Sequence, residues 1–185
     1  MTKINLPFKK LKKIHHFADI HIRNLKRHTE YEEVFERTYK EIEKNKDNAV
    51  VYIGGDIAHS KTDMSPELVD QLSRLFKNLS DICPTIIIAG NHDCNLNNLS
   101  RLDVLTPIVN NLNHPNLHYL KDSGVYKCAD VSFVVWDCWT KEEDFILADD
   151  VEGDTKVVLF HGTVDRAETD LGFHLPSDVH IDKFK

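Results

Sequence analysis

The chain alternates short apolar runs with longer stretches of helical spacing. Thr85-Ile86-Ile87-Ile88-Ala89 has no polar break and reads as a strand buried on both faces. Ala49-Val50-Val51-Tyr52-Ile53 and Val157-Val158-Leu159-Phe160 repeat the pattern, and Ile14 to Asp19 and Val131 to Trp136 read as further strands. Between them, Tyr31, Val34, Phe35, Thr38, Tyr39 and Ile42 recur at helical spacing and predict a helix over roughly 30–45. Ser65 as N-cap and Pro66 as first helical residue open a second helix, whose buried stripe is Leu68, Val69, Leu72, Leu75, Phe76 and Leu79. A helix between successive apolar strands predicts parallel, adjacent strands. Beyond residue 95 the signals weaken. Residues 99–112 look partly helical, 117–120 and 124–128 look like short strands, and 142–147 and 178–184 like short helices. Residues 1–13 carry Lys3, Lys9, Lys10, Lys12 and Lys13 and read as a solvated, partly mobile start. No repeat, low-complexity tract or interdomain linker interrupts the chain, so one domain is expected.

The candidate chemistry lies where the apolar runs stop. The first ends in Asp19-Ile20-His21, the second in Gly54-Gly55-Asp56, the third in Gly90-Asn91-His92-Asp93 and the last in His161-Gly162. Residues two apart in an extended chain face the same side, so Asp19 and His21 can converge on one point. In parallel sheets the carboxyl ends of the strands gather ligands and catalysts. Any one of these ends can be a turn with local hydrogen bonds; four in order argue for a shared site. The donors are oxygen and imidazole without thiolate, which suits manganese, iron or zinc in a two-metal site better than a structural zinc, and a carboxylate such as Asp56 has two oxygens with which to bridge ions. His15 and His16 lie inside a strand and are expected to be packed and hydrogen-bonded. Arg23, Lys26 and Arg27 follow the first ligands in a loop, where they are either phosphate contacts or solvated cations.

Composition narrows the setting. The 185 residues include 41% hydrophobic residues, enough for a real core. No apolar stretch approaches the roughly 20 residues that span a bilayer, and no apolar signal-peptide core follows the lysines. The expected location is the cytoplasm, or the nucleoid or nucleus. A net charge of −7 argues against a DNA-coating basic surface but not against nucleic acid held through metal ions and a local basic loop. Cys83, Cys94, Cys128 and Cys138 form no CxxC pair and are expected to be reduced and structural, with Cys94, beside the suspected site, the one open to oxidation.

Taken together, Asp19-Ile20-His21, Gly55-Asp56, Gly90-Asn91-His92-Asp93 and His161 resemble the motif set of the calcineurin-like metallophosphoesterase superfamily, over essentially the whole chain. The resemblance implies an α/β fold, a four-layer sandwich of two mixed sheets flanked by helices, with two divalent metal ions at the strand ends. It implies that Asp19, His21 and Asp56 hold one ion and Asp56, Asn91 and His161 the other, while His92 faces substrate and serves the leaving oxygen. Gly55-Asp56-Ile57-Ala58-His59-Ser60 looks like the G-D-x-x-H-S stretch of SbcD-like nuclease subunits of double-strand-break repair complexes, which makes His59 a second active-site histidine at the scissile phosphate. That likeness implies DNA as substrate, manganese as metal, a coiled-coil SMC-like ATPase partner and a homodimer. The G-D-x-V-D-R-G and G-N-H-E motifs of the phosphoprotein phosphatases are not found. Alternatives are a phosphoesterase for a small nucleotide or other phosphodiester, and an inactive binding or scaffold fragment. The final G-H-x-H motif of the superfamily is missing, and His174 and His180 are expected at the surface, so residues 1–185 are expected to be a C-terminally incomplete metallophosphoesterase domain with weak manganese binding and little or no turnover.

Overall fold

A computed structural model of the chain describes residues 1–98 and 100–184. Among the described residues, eight strands form two four-stranded sheets. Strands β2 (Lys13–Phe17), β3 (Ala49–Gly54), β4 (Thr85–Ile88) and β5 (Leu117–Tyr119) lie in that order and are parallel throughout. Strands β1 (Thr2–Ile4), β6 (Gly124–Cys128), β7 (Val131–Trp136) and β8 (Thr155–Phe160) form the second sheet, mixed because β6 and β7 are an antiparallel hairpin while β1–β6 and β7–β8 are parallel.

The uninterrupted apolar strands are explained by the layering. In β3, Val51 and Ile53 face helices α1 (His28–Lys44) and α2 (Pro66–Ile82), packing with Phe35, Ile42, Leu72 and Phe76. Val50 and Tyr52 face the other way and meet Phe133, Val135 and Leu159 of the mixed sheet. With both faces covered, every position is buried and period-two alternation is lost. Helix α2 begins as its sequence implies: Ser65 Oγ accepts the Leu68 N–H at 3.3 Å and Pro66 follows. The outer face of the mixed sheet carries no α-helix among the described residues. Two 3₁₀ turns, Glu142–Asp144 and Ala148–Asp150, and the segment around Val179 cover Trp136 and Val134 instead.

The weaker expectations fare unevenly. Helix α3 is Leu105–Leu112, shorter than 99–112, and Leu99 lies outside the described residues. Asp103 sets its late start: its carboxylate accepts the Leu105 and Thr106 N–H groups of the first turn. The short helices expected at 142–147 and 178–184 are 3₁₀ turns, Glu142–Asp144 and Ile181–Phe184. The expected mobile start is overturned. Thr2–Ile4 pair in register with Tyr126–Cys128, Ile4 is buried, and Leu6, Phe8 and Leu11 pack against the inter-sheet core. Four spaced apolar residues outweigh the lysines, whose charges reach solvent while the backbone is held. No helix among the described residues is long and apolar enough to cross a membrane.

The β1 pairing is directly testable. Ile4→Ala should lower unfolding stability by about 2–4 kcal/mol in a urea titration, whereas Lys3→Ala should change it by less than about 0.5 kcal/mol. A mobile start would leave both titrations where they were.

Candidate metal centre

The site begins with backbone that few side chains tolerate. Parallel pairing of β2 and β3 continues past the strands: the Asp19 N–H donates to the Gly55 carbonyl (3.2 Å), His21 to Asp56 (2.9 Å) and Ile22 to Ile57 (2.8 Å). To follow each other this way the loops turn, and Asp19, His21 and Asp56 take φ of 54°, 50° and 52°. The left-handed region is uncommon for such residues and is strained unless the surroundings impose it. Gly55 (φ 89°) and Gly90 make room. A β-carbon on Gly55 would stand 2.7 Å from the Gly90 nitrogen and 2.8 Å from His161 Nδ1, and one on Gly90 would overlap the Asp56 carboxylate and amide.

Asp93 holds the two loops in that contact. Its side chain is fully buried and accepts the N–H groups of Ile57 (3.0 Å), Ala58 (2.9 Å) and Gly90 (3.0 Å). Burial pushes its carboxyl up to about 6, against those three donors and with the nearby Asp56 charge adding to the push. The role of Asp93 was missed in the sequence because nothing there separates a ligand carboxylate from one that ties backbone amides; only its burial does.

The ligand-type side chains then converge. Asp56 is buried, its Oδ1 accepts the His92 N–H at 2.8 Å, and its Oδ2 lies 3.5 Å from His21 Nε2 and 3.3 Å from His161 Nε2. Asp19 Oδ1 is 3.8 Å from His21 Nε2. His161 arrives from the other sheet at the end of β8, and its Nδ1 donates to the Gly54 carbonyl at 2.7 Å, which aims Nε2 at Asp56. Burial pulls the His161 imidazole down, but the Asp56 carboxylate and the Gly54 carbonyl outweigh it and raise it to about 9. The same pairing works on Asp56, where burial favours the neutral form but hydrogen bonds from His161 and the His92 amide hold it below the usual carboxylate range. Asn91 is exposed and lines, with Asp19, Asp56, His92 and His161, a cavity of about 870 Å³.

A second cluster adjoins the first. His92 Nδ1 donates to the His59 carbonyl at 2.7 Å, leaving Nε2 free, and the His21, His59 and His92 rings lie with centroids 4.8–5.7 Å apart. Asp19, Asp56 and His161 bring three donor atoms within 4.8 Å of one another, and so do His21, His59 and His92. His59 is exposed, and desolvation first, then the positive charge of Arg23 and that of His21, His92 and Lys26, lower its pKa. Of the loop cations, Arg23 and Lys26 are therefore the ones near the imidazoles, whereas Arg27 turns to Glu30 at 3.6 Å. Lys61, which sequence reasoning passed over, sets its Nζ 3.3 Å from the Asn91 carbonyl.

Residues 12–182 match the family described as calcineurin-like phosphoesterase. The chain belongs to that family. A segment of 181 residues, 91% of the chain, is also 43% identical to an uncharacterized protein, R555, of Acanthamoeba polyphaga mimivirus, and the match spans 13% of that relative's length. Membership makes this a metallophosphoesterase domain.

The donors fit divalent metal ions. Carboxylate and imidazole atoms surround Asp56, His161 presents a nitrogen whose tautomer is set from behind, and His21 Nδ1 is buried with no hydrogen-bond partner. His15 and His16 stand apart from the centre in different ways: His15 bonds the Asn45 carbonyl, but His16, expected to be packed and hydrogen-bonded, stacks on Tyr52 and is exposed to the cavity. His174 and His180 lie at the surface.

Three outcomes follow from the geometry of the centre. Asp93→Ala strands three buried N–H groups and should cost about 3 kcal/mol or more in urea unfolding, with loss of metal binding because the Asp56 loop loosens; Asp93→Asn should cost less. With its pKa raised to about 9, His161 is protonated at neutral pH, and an ion held at Nε2 would displace that proton. Calorimetry in buffers of different ionisation enthalpy should therefore show proton release on metal binding at pH 7 that fades above about 9. In the metal-free chain the raised pKa stabilises the fold fully below the unfolded value of about 6.5 and loses that contribution as pH rises through about 9. His161→Asn should abolish both trends.

Proposed function

We propose that this domain is a phosphodiesterase acting on DNA, of the kind that trims ends in double-strand-break repair. The observation that carries the reading is the basic side of the site. His59 and His92 stack beside His21, Arg23 and Lys26 add charge next to His59, and Lys61 sits against the Asn91 carbonyl. A single phosphate ester needs one phosphate subsite. Cations spread along one flank suit a substrate with further phosphates on either side of the scissile one.

Asp19, His21, Asp56, Asn91 and His161 would hold two divalent ions, manganese by preference with iron or zinc as alternatives. When bound, such ions supply Lewis-acid stabilisation of phosphoryl charge and acidify water. The chain's own groups do the rest. His92, fixed through Nδ1 by the His59 carbonyl, presents Nε2 to the cavity and in its protonated form gives that proton to the departing ester oxygen. His59 orients the scissile phosphate. Arg23, Lys26 and Lys61 bind neighbouring phosphates and set the register of the strand. An ATPase with coiled coils and a second copy of the domain complete the proposed assembly.

A second reading rests on the lining of the cavity. Asp137, Glu142, Glu143 and Asp178 line it with Lys141 as the one lysine, and that excess of acid disfavours a long polyanion. A small cyclic or linear nucleotide would fit a cavity of this volume.

In the complete protein loaded with manganese, His92→Ala should cut turnover on DNA ends by about 10²–10⁴-fold and leave metal content unchanged by elemental analysis. Arg23→Ala and Lys61→Ala should chiefly raise KM, each reducing the dependence of log affinity on log salt by about one. Cleavage of cyclic nucleotides with DNA ends untouched would reject the nuclease reading in favour of the second.

A further inference from the structure

Cys94 and Cys138 are distant in sequence and adjacent in space. Cys94 closes the Gly90–Cys94 loop, and Cys138 follows β7 in the other sheet. Their Sγ atoms are 3.0 Å apart. A disulfide needs about 2.05 Å between sulfurs, so the pair has only about 1 Å to close.

Both sulfurs are held by groups that do not depend on each other. Cys94 donates to the Gly90 carbonyl at 3.1 Å, in the loop that Asp93 ties to Ile57 and Ala58. Cys138 sits in a turn organised by Asp137, which accepts the Trp139 and Thr140 N–H groups at 2.7 Å each and the Ser123 N–H at 2.6 Å. The entropy of bringing the two thiols together has thus been met by the fold itself. Access is unequal: Cys94 is buried, whereas Cys138 is half-buried and lines the cavity. Cys83 and Cys128, the remaining two, are both buried, on the helix-covered side of the parallel sheet and between the sheets, where each lies among apolar side chains.

We propose that Cys94 and Cys138 are a disulfide-forming pair that staples the two sheets together beside the metal centre. The oxidant is a small disulfide such as oxidised glutathione. The Cys138 thiolate attacks one of its sulfurs and expels one reduced thiol. The Cys94 thiolate then attacks Cys138 in that mixed disulfide and expels the second. Two protein thiols lose two protons and two electrons, and the oxidant leaves as two thiols. Entry is through the cavity, because Cys138 is the more accessible partner. The hydrogen bond with Cys94 and burial hold the Cys138 thiol far above the ordinary range, so the reaction is slow at neutral pH and quickens in base. The staple does not depend on which phosphoester the domain cleaves.

The test is to incubate the protein with oxidised glutathione at pH 7 and pH 9, quench in acid, alkylate and map peptides without reduction. The expected result is one linked peptide joining Cys94 and Cys138, formed faster at pH 9, with Cys83 and Cys128 alkylated and the link reversed by dithiothreitol. In urea, the oxidised protein should unfold at a higher midpoint, its folding equilibrium favoured about a hundredfold. Cys138→Ala, at the more accessible position, should remove both the link and the shift; Cys94→Ser serves as the second variant. Cys138 stopping at the glutathione adduct, links to Cys83 or Cys128, links between chains, or full alkylation of both cysteines after oxidation would each overturn the proposal.

Discussion

One buried carboxylate sets the geometry of this domain. Asp93 binds the N–H groups of Ile57, Ala58 and Gly90, and so joins the loops that follow β3 and β4 at their closest approach. A buried carboxylate is costly unless its oxygens are satisfied, and backbone N–H groups left without it would be costly in turn. Each side therefore makes the other tolerable. The clamp allows Asp56 its left-handed backbone, brings the His92 amide to the Asp56 carboxylate and leaves no room at Gly90 for a β-carbon.

The second dependence is electrostatic and crosses between the sheets. Asp56 lies between two imidazoles, His21 of the parallel sheet's first loop and His161 at the end of β8. Without an ion, a proton on His161 balances the Asp56 charge, which is why one group is raised and the other lowered. The Gly54 carbonyl behind His161 orients the ring in either case. An ion bound at Nε2 would compete with that proton, so the stability of the metal-free fold and its readiness to take a metal would respond to pH in opposite directions.

The charge around the centre is divided rather than uniform. Arg23 and Lys26 lie near the His59 imidazole and Lys61 against the Asn91 carbonyl, whereas Asp137, Glu142, Glu143 and Asp178, with Lys141, line the cavity. The net charge of −7 conceals this division.

Much of this was legible in the chain. Unbroken apolar runs at 49–53 and 85–89, with helical stripes between them, determine parallel strands covered on both faces, and a polar residue of ligand type at each strand end determines where Asp19, Asp56, Asn91 and His161 emerge. That pattern is local, because periodicity and turn chemistry are properties of neighbouring residues. Other features were decided only by the tertiary structure. The lysines of the first segment hid Ile4, whose partner strand lies more than a hundred residues away. Asp103 began a helix by binding its first N–H groups, and Asp137 and Asp93 look alike in sequence although one orders a turn and the other joins two loops. Spacing cannot assign such partners: a carboxylate's role depends on what is buried against it, and Cys94 meets Cys138 only because two sheets, each specified by its own local pattern, pack face to face.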